Sequence, residues 1–134
     1  MSGKLKLADD DWCFVCGGSN PIGLKLQFVT EGDEYVTYFT PSKDHQGYEG
    51  IVHGGIVSTV LDEVMARYVY VLGRSAVTAG MTVRLKKPAK VGSTIRFAGK
   101  IDSETGRLIS CSATATDERG ELIAEATARM LKVT

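Results

Sequence analysis

The feature that most constrains this chain is a single long run of helical periodicity. Val57, Val60, Leu61, Val64, Tyr68, Val71 and Leu72 recur at three- and four-residue spacing, and Gly73 supplies a stop. The pattern predicts one helix of about twenty residues, starting at His53. Asp62, Glu63 and Arg67 interrupt the apolar run, so it does not read as a membrane span. A helix this apolar needs cover over most of its circumference. One sheet covers one side only, so a second copy of the chain is the expected neighbour.

The rest of the sequence reads with a period of two. Leu24–Val29 and Tyr35–Phe39 form an expected hairpin about the turn Glu31–Glu34, followed by a polar loop from Pro41 to Val52. After the helix, strands are expected over Val77–Lys87, Thr94–Ile101, Arg107–Thr116 and Glu121–Val133. Their turns are Lys90–Gly92, Ser103–Gly106 and Asp117–Gly120, and the last three strands form an antiparallel meander. The order β-β-α-β-β-β-β defines an α+β domain spanning 1–134, with one central helix wrapped by a curved antiparallel sheet. Residues 1–12 are charged and are expected to be loose up to Trp12.

Sixteen basic and sixteen acidic side chains cancel, which gives no electrostatic reason to expect nucleic acid or a membrane as partner. The opening MSGKLKLADDD lacks the apolar core of a secretory leader. Three cysteines, an odd number, do not suggest a disulfide framework, and a cytoplasmic location is expected. Cys13-Phe14-Val15-Cys16 is a CxxC. A structural zinc site needs four ligands, Cys111 falls in a strand, and there is no second CxxC. The pair is therefore expected to be structural and partly buried, with no metal or cofactor.

Chemistry is concentrated at the helix. Gly54 and Gly55 at its start cost helix propensity, which a sequence accepts where a backbone or ligand must come close. The first turn carries N–H groups without intrahelical partners and a partial positive charge, suited to a developing oxyanion. Asp62 shares a face with Ser58, Thr59, Ala66 and Val69, all but the last small. Glu63 has the favourable spacing for a solvated ion pair with Arg67.

The run His53-Gly54-Gly55, six further residues and then Asp62, followed by Pro88-Ala89-Lys90-Val91-Gly92, resembles the hotdog-fold acyl-CoA thioesterases of the phenylacetate-pathway (PaaI) type. The likeness covers roughly residues 13–133. It implies that Asp62 is the catalytic carboxylate, and that Gly55 supplies a backbone N–H to the thioester carbonyl. His53 would organise that end of the substrate, and Thr78 would position the attacking water. Many members carry Asn six residues before the His, where this chain has Gly47; a shifted loop would let Gln46 take the role. The resemblance further implies a site shared across a homodimer, often within a tetramer, and acyl-CoA as substrate. Asp62 would act as nucleophile or as general base, and the sequence leaves both open, along with the acyl group, dimer versus tetramer, and the CoA phosphate contacts. Arg84, Lys86, Lys87 and Lys90 read as phosphate ligands or as a solvated strand face.

Two other functions fit the same fold. One is a non-catalytic acyl-CoA-binding module. The other is an enoyl-CoA hydratase-like enzyme, which would want an Asp five residues before the His, where Tyr48 stands.

Overall fold

In a computed structural model describing residues 6–133, the elements follow the expected order. Strands β1 (Phe28–Glu31) and β2 (Glu34–Phe39) precede helix α1 (Gly54–Val71). Strands β3 (Ala76–Leu85), β4 (Ile95–Thr105), β5 (Leu108–Thr116) and β6 (Leu122–Lys132) follow it. All six strands join one antiparallel sheet in the order β1-β2-β4-β5-β6-β3. This is the hotdog arrangement of a single long helix against a curved sheet.

The helix forms where its apolar stripe requires. Val57, Val60, Leu61, Val64, Met65, Tyr68 and Val69 are buried against the sheet, where Phe97, Ile95, Ile109 and Met130 complete the core. Gly73 (φ +88°) ends the helix in the left-handed conformation. Its N–H reaches Tyr70 O at 3.0 Å and that of Arg74 reaches Val69 O at 3.2 Å, the paired bonds of a Schellman cap. On β4, a Cβ at Gly99 would lie 2.5 Å from Val64 O, so a glycine is what lets the helix backbone rest directly on the sheet. Phe28, Tyr35 and Tyr68 stack at centroid spacings of 5.0 and 5.3 Å, tying the β1–β2 hairpin to the helix.

Several expectations are corrected in detail. Residues 24–27 are not strand: Lys25 has φ 54°, which breaks the extended run, and Leu24 and Leu26 give their N–H groups to Phe14 O and Val15 O instead. Their side chains nevertheless pack on the core, as the alternation required. The expected turn Ser103–Gly106 shrinks to Gly106-Arg107, because β4 and β5 stay paired to Thr105↔Leu108 past an irregularity between Ile101 and Ser103. Strand β3 ends at Leu85, and Lys86 and Lys87 both donate backbone N–H to Ile123 O. A short 3-10 turn, Lys43–His45 capped by Ser42, interrupts the loop before the helix. Of the segment expected to be loose, residues 1–5 lie outside the described residues. Residues 6–12 have no helix or strand, but Asp9 is bonded to Arg67 at 2.9 Å.

Glu104 fastens the far end of the sheet. It accepts from Arg74 Nε at 2.9 Å and pairs with Lys132, and these two cations hold its carboxyl at about 2, below its ordinary 4.5. Among the described residues, no helix is long and apolar enough to cross a membrane.

Candidate active site

Of the five residues singled out, the structure brings two pairs together. Thr78, on β3, donates its hydroxyl to Asp62 Oδ1 at 2.8 Å. Asp62 sits mid-helix and half-buried, on the turn that passes the start of β3. The second pair is at the tip of α1. His53 is the N-cap, and its Nδ1 accepts the N–H of Gly55 at 2.9 Å. A Cβ at Gly55 would approach that ring nitrogen to 3.0 Å, which is why a side chain is unwelcome there.

The two pairs do not meet within one chain. Gly55 and Asp62 are seven residues apart, so they share a helix face but are separated by about 10 Å along the axis. No single carbonyl reaches both. The face between them is smooth and electrically quiet, because Ser58 and Thr59 turn their hydroxyls back to Gly54 O (2.9 Å) and Gly55 O (2.8 Å).

Gln46 joins neither pair. Its Oε1 accepts from Gly50 N at 3.1 Å and its backbone bridges to Val52, so it braces its own loop. The position six before the His is nonetheless close to the helix tip: a Cβ at Gly47 would lie 3.4 Å from His53 Cα. A cleft of about 380 Å³ opens there. Tyr48, His53, Gly54, Val57 and Leu85 line it together with Lys86, Lys87 and Pro88; Asp62 is not part of it. Its walls are mostly apolar, as suits an acyl chain or a pantetheine arm.

The lysines beside this cleft divide. Lys87 is held by Asp117 and Glu121, both at 2.7 Å, and Lys86 lies 3.6 Å from Glu125. Those two are engaged in surface ion pairs and are not ready phosphate ligands. The expected Glu63–Arg67 pair is replaced by other partners. Arg67 turns to Asp9, and Glu63 accepts from Cys13 Sγ at 3.3 Å. Sequence spacing along one helix could not have found either partner, since both come from the N-terminal segment. Burial and the neighbouring Glu63 push the Cys16 thiol well above its usual range.

Residues 49–124, more than half of the chain, match the family described as the Thioesterase superfamily. The chain belongs to this superfamily. The matched span runs from the loop before α1 into β6, and so contains the helix tip, Asp62 and Thr78. Among curated proteins, the chain is similar to acyl-coenzyme A thioesterase THEM4 of Bos taurus. The two are 27% identical over 124 residues, which cover 90% of this chain and 51% of THEM4. The chain thus spans about half the length of that relative. Among solved structures, the thioesterase superfamily protein RHA08564 superposes with a TM-score of 0.85 at 21% identity, covering 96% of this chain and 70% of that one. The PaaI protein from the phenylacetic acid degradation operon of E. coli gives 0.77 at 14% identity, covering 83% and 81%. At those identities the structures speak for the fold, which is the one described above.

Proposed function

We propose that this chain hydrolyses acyl-CoA thioesters to the free acid and CoA, at a site assembled from two copies of itself. The observation that carries the reading is the Asp62–Thr78 pair at 2.8 Å on the small-residue face of α1. A carboxylate held by one hydroxyl keeps lone pairs free for a water or a carbonyl carbon. Names of similar proteins point the same way: THEM4 is called an acyl-coenzyme A thioesterase.

The geometry favours a twofold assembly. Gly55 and Asp62 lie on one face with their midpoint at Ser58 and Thr59. A twofold axis beside that midpoint sets two helices antiparallel and brings Asp62 opposite the partner's Gly55. Strand β3 supports this arrangement. It pairs with β6 on one side only among the described residues, and Met81 and Leu85 are exposed along it. A long edge strand of that kind is a template for pairing with a second chain.

In the assembled site, the thioester oxygen takes the Gly55 N–H at the positive end of the helix, displacing the His53 ring that holds it in the single chain. Asp62 either attacks the carbonyl carbon to give an anhydride, which water then opens, or removes a proton from the attacking water. In both routes the C–S bond breaks and CoA leaves as thiolate. Thr78 orients the carboxylate or the water. Gln46 acts at one remove, by shaping the loop beside His53. The mostly apolar walls of the cleft suit aryl or medium-chain acyl groups, as does the family likeness.

The test is release of free thiol from phenylacetyl-, benzoyl- and medium-chain acyl-CoA. Turnover well above the spontaneous rate is expected for at least one. Saturable binding of every ester with no thiol release would make the chain an acyl-CoA-binding module and end the proposal. Hydration of an enoyl-CoA, with its thioester intact, would favour the hydratase alternative.

A further inference from the structure

We infer that Cys13, Cys16 and Glu63 form a binding site for a soft divalent cation, zinc by its ligand chemistry, that fastens the N-terminal segment to α1. The site lies outside the thioester machinery and stands whether or not that reading holds.

The donor atoms are already gathered. One ligand atom from each of the three residues lies within 4.8 Å of the others, and all three residues are half-buried. Cys13 Sγ and Glu63 Oε2 are 3.3 Å apart. Zinc binds thiolate at about 2.3 Å and carboxylate oxygen at about 2.0–2.2 Å, so a tetrahedral ion needs an S···O edge of about 3.5 Å and an S···S edge of about 3.8 Å. The separations here are those of a site that closes with small side-chain rotations. Two thiolates and one carboxylate form the kind of donor set that selects zinc over magnesium or calcium. Cys13 and Glu63 also line a groove with Asp10, Trp12, Ala66 and Tyr70, through which an ion enters and water supplies the fourth ligand.

The backbone around the cysteines is built to hold them. Gly17 N–H bonds to Cys13 O at 2.8 Å, closing one tight turn, and the two thiols lie within 4.8 Å of each other. A Cβ at Gly17 would fall 2.4 Å from Cys13 N and 2.6 Å from Asp11 O, so only glycine fits. Asp11 caps the turn through Gly18 N at 2.9 Å and Ser19 Oγ at 2.7 Å. Leu24 and Leu26 stitch the other side to Phe14 O and Val15 O. Yet this knuckle buries little apolar surface. Val15 is inside, whereas Trp12 and Phe14 are 55% and 38% exposed. A segment so ordered with so small a core gains from a cross-link, and a metal shared with α1 supplies one. The CxxC gives two ligands in sequence; the third comes from fifty residues away, which is why the spacing alone reads as an incomplete site.

The test is zinc binding by the full chain, purified reduced and stripped of metal. Titration with Zn²⁺ should reach on the order of one ion per chain and raise the thermal midpoint. Co²⁺ should give a thiolate-to-metal charge-transfer band. Cys16→Ser and Glu63→Gln should each weaken Zn²⁺ affinity at least about tenfold, since even outer contacts of metal sites cost that much. Should either variant fold poorly, the Co²⁺ spectrum of the unaltered protein decides alone. No binding at tenfold excess Zn²⁺, a Co²⁺ spectrum without the thiolate band, or binding undiminished in the Cys13→Ser/Cys16→Ser double variant would overturn the proposal.

Discussion

Replacing Asp62 with Asn lowers kcat for acyl-CoA hydrolysis by about 10²- to 10⁴-fold, the span that a positioned base or nucleophile contributes. The substitution is nearly isosteric, and the Asn carbonyl oxygen still accepts the Thr78 hydroxyl that now bonds Asp62 at 2.8 Å. Helix and sheet therefore keep their places, and the loss falls on chemistry. Glu63, next in sequence, does not rescue it, because its carboxylate is turned toward Cys13 on a different face. The cleft proposed to hold the substrate, beside His53 and Gly54, does not include Asp62, so KM is expected to change little. Thiol release at saturating acyl-CoA, with a thermal melt of the same sample, separates the two effects. A variant that melts normally and keeps its turnover removes Asp62 from the mechanism.

The second large effect is on stability. Gly99→Ala destabilises the fold by about 3 kcal/mol, at the upper end for overpacking, because the obstruction is main chain and not a side chain that can turn away. The added methyl would lie 2.5 Å from Val64 O and 2.7 Å from Val64 C. Relief requires the helix to lift off β4, which opens the contact between Val64, Leu61 and Phe97, all fully buried. A fall in Tm on the order of 10 °C is the expected reading for a domain of this size. Urea unfolding of both proteins at one shared concentration gives a comparable difference, because the concentration-dependent subunit contribution is then the same for each. A midpoint unchanged by the substitution would mean that helix and sheet are not in backbone contact at this point.

These two residues illustrate what was legible in the sequence. The helix could be read because its apolar stripe repeats with the helical period and Gly73 marks its end; the stripe residues are the buried ones. Asp62 could be located on a small-residue face by the same counting. The role proposed for it comes from the family likeness and not from periodicity, since a half-buried acid is as often structural. Gly99 carried no signal: a glycine in a strand reads as a weak point, and only the packed helix shows that it is a necessity. The strand assigned to 24–29 failed at Lys25, where a left-handed residue (φ 54°) breaks an otherwise proper alternation. The partners of Glu63 and Arg67 were invisible because both lie on a segment that joins the helix through irregular loops. The tie between His53 Nδ1 and Gly55 N was equally hidden, being a matter of one side-chain rotamer at a cap.

The central claim is that a reacting carboxylate on one subunit works with an amide at the helix tip of the other. Mixed dimers test it most directly. Asp62→Asn removes the carboxylate, and Gly55→Pro removes the amide at a first-turn position whose N–H has no partner within the helix. The proline ring must push the His53 imidazole aside, so a thermal melt of that variant first establishes that it folds. Each variant alone should be nearly inactive. Equal amounts, unfolded together and refolded, should recover about a quarter of the unaltered activity, because half of the dimers are mixed and each mixed dimer has one intact site. If the mixture stays as inactive as its parents while mixed dimers are demonstrably formed, the site does not span two chains and the account is wrong.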